Sequence, residues 1–393
     1  MSAEVRSIAL DQPLDLPELT YLVEQDEVTV GCREIDSYWV LPIDGAELLR
    51  RLGTGMSPES AAQWYSSEYG ETVDIVEFLE TLTEMGLLAL HGDTELAPVR
   101  WQRLGRALFS PVGWAVFAIV LVAALVAMAR HPDLLPIYQH LFFTRYLTVI
   151  SVTVFLGQFP LLLLHEACHA LAGRRLGLPS RLRISNRLYF LVFETSLDGL
   201  VAVPRRKRYL PILAGVCCDM LVVAVLTLVA AALRQPAGGQ PLIGGICLTL
   251  AFTTVLRIVW QLYFYLRTDL YYLVITVFGC VDLHDTARGM IVNRINRLVG
   301  RRALVDESAW HPTDRAVARW YSWLVVVGYL FSLGTLVVAA LPAIVRMIGI
   351  VLTRLSAGAG WADIADTAVL LALTLGQFVV VFVVARRRRR SAN

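Results

Sequence analysis

Charge is what this sequence has least of. Only 17% of its 393 residues are Asp, Glu, Lys or Arg, against 56% hydrophobic, and the mean hydropathy is +0.58. That balance excludes an ordinary soluble globular chain and points to a polytopic membrane protein. The net charge of +2 excludes a general electrostatic attraction to nucleic acid. Cysteines are few: Cys32, Cys168, Cys217, Cys218, Cys247 and Cys280 show no framework spacing, and reduced packing thiols are expected. The first 100 residues lack a basic stretch followed by an apolar one, so insertion is expected to start from an internal segment. Histidine is scarce too, with seven in the chain, so two at metal-ligand spacing carry weight.

What the chain has instead is long uncharged runs. Residues 107–129 and 146–164 are each long enough to cross a bilayer. Residues 209–233 follow with Asp219 as the one charge, then residues 241–266, interrupted by Arg257. A shorter apolar piece continues past Asp269 to Cys280, and the last two runs are residues 321–345 and 367–385. The expected fold is therefore mainly α, with about six transmembrane helices and a small N-terminal α+β domain. Basic residues cluster before the first run, between the second and third (Arg174 to Arg208), between the fourth and fifth (Arg288 to Arg302), and at Arg386–Arg390. With six crossings all four clusters share one side. The positive-inside rule then puts both termini in the cytoplasm. The Arg386–Arg390 run reads as a stop signal and lipid anchor.

The polar N-terminal part has its own pattern. Residues 1–20 carry no periodicity and are expected to be a loose tail. In residues 21–92, Val28-Thr29-Val30 and Tyr38-Trp39-Val40-Leu41 read as a hairpin. Three helices are expected next, at Gly45 to Leu52, after the Ser57-Pro58 cap, and after Thr72, the last ending at Gly86. Leu87 to Leu90 would return as a strand, which completes a winged-helix layout. This layout and the phrase Gly55-Met56-Ser57-Pro58-Glu59-Ser60-Ala61-Ala62 resemble PqqD-like domains. The resemblance implies recognition of a leader peptide, added as a strand to the hairpin edge. The competing winged-helix role, DNA binding, is disfavoured by Asp74, Glu77, Glu80 and Glu84 on the third helix. Residues 93–106 read as a basic linker.

The second apolar run ends in His165-Glu166-Ala167-Cys168-His169. Helical positions four apart share a face, so His165 and His169 can turn both imidazoles to one metal ion. Glu166 stands beside the pair, where a carboxylate can take a proton from water. Cys168 is turned about 100° away from either histidine, which argues against ligation. Two histidines need a third protein ligand for Zn2+. Asp269 is the first candidate, alone in apolar sequence, and Asp219 the second; Glu194, Asp198 and the His284-Asp285 pair are more distant. Either intramembrane aspartate could instead pair with Arg257 or Arg267, and for Asp219 that pairing or a helix–helix hydrogen bond is the favoured reading.

The motif His165-Glu166-Ala167-Cys168-His169 with Thr268-Asp269 resembles the site-2 protease family of intramembrane zinc metallopeptidases. The resemblance spans about residues 108–285 and implies His165, His169 and Asp269 as zinc ligands with Glu166 as the catalytic base. Leu270 stands where the family often has Gly. Leu213-Ala214-Gly215 to Asp219 corresponds to a stretch that lines the family's cleft, though without its Pro and Asn. Relatives also place a membrane-inserted hairpin where residues 181–184 and 188–194 are β-rich, and its edge could hold an extended substrate; the alternative is a basic cytoplasmic loop. The implied organisation is a metallopeptidase core at residues 107–285, a cytoplasmic basic loop at 286–320, and two further crossings with an Arg-rich tail at 321–393. The implied activity is hydrolysis of a peptide bond in a ribosomally made peptide precursor or its leader. The alternatives are a regulatory protease releasing a membrane-tethered factor, or a non-catalytic peptide transporter or immunity protein.

Overall fold

The computed structural model describes residues 9–17, 19–24, 27–32, 37–84, 87, 99–187, 190–197, 199–235, 239–300, 302, 305–308, 310–356 and 360–391. They divide into two compact units. One takes in residues within Met1–Arg103, Gly173–Arg181 and Ser196–Arg208; the other takes in Leu104–Ala172, Leu182–Thr195 and Tyr209–Asn393.

In the first unit, β1 (Leu19–Glu24), β2 (Glu27–Cys32) and β3 (Ser37–Pro42) form an antiparallel sheet in that order. Three helices follow: α1 (Ile43–Gly53), α2 (Pro58–Tyr69) and α3 (Ile75–Glu84). The expected hairpin is β2–β3, and β1 is a strand beyond expectation, paired from Leu19↔Cys32 to Glu24↔Glu27. It begins inside the stretch read as a loose tail. There Leu14 and Leu16 also pack on the core, and the Leu10 carbonyl accepts the Glu59 N–H. With strands on both sides, β2 has no solvent edge, and Val28, Val30 and Cys32 are buried along it. Against them pack Leu48, Leu49 and Leu52 of α1 with Leu79 and Leu82 of α3. Burying each such leucine is worth about 1.5–3 kcal/mol. Ser57 caps α2 with Pro58 as its first residue. The cap of α3 is Asp74, not Thr72: its Oδ1 accepts the N–H groups of Val76 and Glu77. An aspartate adjoining the helix reaches donors that Thr72, two residues earlier, does not. Gly86 and residues 88–90, the expected helix end and most of the returning strand, lie outside the described residues.

The second unit is helical. After the short α4 (Gln102–Leu108), its main elements are α5 (Pro111–Arg130), α6 (Leu147–Arg175), α7 (Arg205–Leu233) and α8 (Leu242–Trp260). Between α6 and α7 the β-rich stretch forms a two-stranded sheet, β4 (Ser180–Arg187) with β5 (Phe190–Leu197). Then come α9 (Asp269–Phe278), α10 (Leu283–Leu298), α11 (Pro312–Thr335), α12 (Leu341–Ser356) and α13 (Trp361–Ser391). A π-helical turn joins α11 to α12, making one 45-residue helix.

Among the described residues five helices are long and apolar enough to cross a membrane: α5, α6, α7, α8 and the joined α11–α12. This makes the chain a multi-pass membrane protein. The sixth expected run lies within α13, where side chains from 377 to 385 are outside the described residues. The fourth run does not reach Asp269 as one helix: α8 stops at Trp260 and α9 starts afresh at Asp269.

Two features shape α6 ahead of its histidines. Its N-terminus is capped from α13, where the Asp366 carboxylate accepts the N–H of Leu147 at 2.8 Å and of Thr148 at 2.9 Å. Pro160 lies inside it, where a missing N–H removes one rung of the helical ladder five residues before His165. On α7, Pro211, Ala214, Gly215, Cys218, Asp219 and Val222 are buried at three- and four-residue intervals, so this stripe is its inward face.

Candidate metal centre

His165 and His169 are one turn apart on α6, and both are buried. Their Nε2 atoms stand 3.1 Å apart. Asp269, the first residue of α9, brings its Oδ2 to 3.4 Å from His165 Nε2 and 3.3 Å from His169 Nε2. The turn between α8 and α9 fixes this carboxylate. Thr268 Oγ1 donates to the Gln261 carbonyl at 2.7 Å, and the Asp269 N–H donates to Gln261 Oε1 at 3.0 Å. Arg267 takes the left-handed conformation (φ 53°) that the turn needs. Leu270, where the resembled family often has Gly, sits in ordinary helical backbone, so its side chain costs the turn nothing.

The other faces of the imidazoles are held as firmly. His165 Nδ1 is 3.0 Å from Asp219 Oδ2, and His169 Nδ1 is 2.7 Å from the Pro211 carbonyl. Both Nδ1 atoms face acceptors, so in the neutral rings Nδ1 carries the proton and both Nε2 atoms are lone pairs. Asp269 Oδ2, itself buried, has no hydrogen-bond donor. With the rings neutral, three lone pairs converge on one point, an arrangement that a cation between them would relieve. Gly215 of α7 faces the same point: a Cβ there would come within 2.3 Å of His169 Nε2 and 2.5 Å of His165 Nε2. The space is kept clear by the absence of a side chain. Two neutral imidazoles, one carboxylate and an open side form a donor set that could hold a divalent metal ion.

Asp219 is not among the donors. It is fully buried and forms a two-point ion pair with Arg257 of α8, Nε to Oδ2 at 2.9 Å and Nη2 to Oδ1 at 2.5 Å. The ion-pair reading of Asp219 is the one found, with His165 as a further partner. Arg257 Nη1 also donates to Gln158 Oε1 at 3.0 Å, and Gln158 Nε2 donates to Thr253 Oγ1 at 2.6 Å. Arg267 pairs with Asp285 at 3.1 Å and not with Asp269, and His284 stands edge-on to the Tyr271 ring. Asp198 and the side chain of Glu194 lie outside the described residues, as do the side chains of 188–194. Cys168 packs with Ala172, Ala214 and Cys218, away from the donor set.

Glu166 is buried, and its Oε2 accepts the N–H of Thr195 on β5 at 2.8 Å. Thr195 Oγ1 returns a bond to the Glu166 carbonyl at 3.0 Å. Sequence reasoning had no hint of this staple, nor of Gln158. For Asp219 and Arg257 a signal existed: they are opposite charges in neighbouring apolar runs, where an unpaired charge is costly. No protein-family model, curated protein or solved structure matches the chain.

Proposed function

We propose that the chain is a membrane-embedded zinc metallopeptidase of the site-2 protease kind. In this reading His165, His169 and Asp269 hold Zn2+ and Glu166 is the base. The carrying observation is the convergence of two Nε2 lone pairs and an undonated carboxylate oxygen from separate apolar helices. Zinc held there supplies Lewis-acid polarisation of a peptide carbonyl and acidification of water. Glu166, held in place by the Thr195 N–H, takes the proton of the attacking water. As the C–N bond breaks it delivers that proton to the leaving amine nitrogen.

The substrate we propose is a ribosomally made peptide precursor or its leader, captured by residues 21–92 acting as a PqqD-like, winged-helix domain. Supporting this is the β1-β2-β3 sheet followed by three helices, with β1 and β3 as the outer strands among the described residues, the positions at which a peptide strand could add. From the basic loops we place both termini in the cytoplasm, with α13 as the sixth crossing. A regulatory protease acting on a membrane-tethered protein would use the same chemistry. A transporter or immunity protein would need no carboxylate where Glu166 stands.

The experiment is metal analysis of the full chain purified in detergent, with cleavage of a co-expressed peptide precursor. Wild type should carry about one zinc per chain. His165→Ala and Asp269→Ala should lose it, and Glu166→Gln should keep the metal and lose cleavage. Cleavage by purified Glu166→Gln would end the assignment of the base.

A further inference from the structure

The hydrogen bonds around Arg257 close on themselves. Gln158 and His165 lie seven residues apart on one face of α6. From Gln158 Oε1 the path runs to Arg257 on α8, from Arg257 to Asp219 on α7, and from Asp219 back to His165 Nδ1 on α6. Three helices are joined in one ring, and its last link is the proton-bearing nitrogen of a metal-ligand histidine. Gly157, beside Gln158, allows this approach: a Cβ there would lie 2.6 Å from Leu250 of α8.

We propose that Arg257 is a positioning residue of the metal centre, acting through Asp219. Its fork occupies both Asp219 oxygens, which gives that carboxylate two tasks at once. It fixes His165 in the orientation and tautomer that aim Nε2 at the donor set. It also keeps Asp219 itself out of the set, since a buried carboxylate without its counter-charge would be drawn to a divalent cation nearby. Helix association alone does not need an ion pair here, because Gln158 already bonds Thr253 Oγ1 and the Leu250 carbonyl of α8. An arginine and an aspartate at membrane depth are costly, and their geometry ends on the imidazole. The inference rests on the metal centre proposed above.

The test uses the full chain in detergent. Zinc affinity is measured by competition with a chromophoric chelator, and the ligand field by visible absorption after cobalt(II) substitution. Asp219→Asn and Arg257→Gln should each weaken zinc binding by about 10- to 100-fold and alter the cobalt spectrum. Arg257→Lys keeps the charge but loses the fork, and should recover part of the affinity. The double variant Asp219→Asn/Arg257→Gln should bind no more weakly than Arg257→Gln alone, because the pair acts as a unit. Asp219→Asn is nearly isosteric, so it keeps the test open if Arg257→Gln does not fold. Unchanged affinity and spectrum in folded Asp219→Asn, or additive losses in the double variant, would overturn the proposal while leaving the metal centre standing. A wild-type chain that takes up neither zinc nor cobalt would remove the centre itself, and this role with it.

Discussion

Helix α6 meets one arginine–aspartate pair at its N-terminus and another beside its first histidine, and the two serve different masters. At the N-terminal end Arg354 pairs with Asp366 at 2.8 Å, and the carboxylate caps the helix by accepting the Leu147 and Thr148 N–H groups. Arg354 also donates to the Arg145 carbonyl at 2.5 Å. Midway along the helix Arg257 pairs with Asp219, and the carboxylate accepts from a side chain, His165 Nδ1. The chemistry is the same and the recipient differs. One pair satisfies backbone donors that every helix start exposes; the other satisfies the one donor whose orientation decides where a lone pair points. The first is a device of folding, the second of the site.

The largest separation between the two should come from breaking the folding device. Asp366→Ala leaves two N–H groups uncapped and Arg354 with Asp363, at 3.5 Å, as its remaining counter-charge. It should cost about 2–4 kcal/mol, read as a lower melting temperature in detergent, with zinc affinity unchanged at low temperature. A fall in affinity as large as that of Asp219→Asn would erase the distinction. The converse is Gly215→Ala, which crowds both Nε2 atoms. Overpacking of about 1–3 kcal/mol should be read as lost zinc affinity, roughly tenfold, with little change in melting temperature.

A finer cut is Thr195→Val, which keeps the N–H on Glu166 Oε2 but loses the hydroxyl bond to the Glu166 carbonyl. Zinc content should hold, and hydrolysis should slow by about fivefold for a loss of about 1 kcal/mol. The smallest effect belongs to a carboxylate near water. Tyr65 donates its hydroxyl to Asp44, which holds that carboxyl below its usual range and pushes the tyrosine up to about 12. A depressed aspartate contributes stability that is present above its unfolded value and lost as pH falls through its folded one. Tyr65→Phe should therefore cost the first unit about 1 kcal/mol at neutral pH. The difference should shrink below about pH 4, as hydrogen exchange of α1 and α2 in the full chain would record.

How much of this could be read in the sequence depends on the reach of each signal. The His165–His169 pair sits within one helical turn, and Asp269 announces itself as a lone acid in apolar surroundings. Both the apolar runs and the Ser57-Pro58 cap are local patterns. The ring through Arg257 is not local: its links join residues 38 and 99 positions apart, so each charge could be noticed but not matched. The strand β1 escaped because Tyr21-Leu22-Val23 is a short run in acidic company, with no alternation to mark it. Thr195 escaped for a different reason. What it offers Glu166 is a backbone N–H, which every residue but proline possesses.

Pro160 lies between the capped end of α6 and the histidines. A helix missing a rung bends there more readily than elsewhere. The ring through Gln158, Arg257, Asp219 and His165 spans that joint, so the helix is tied to α7 and α8 on both sides of its missing rung.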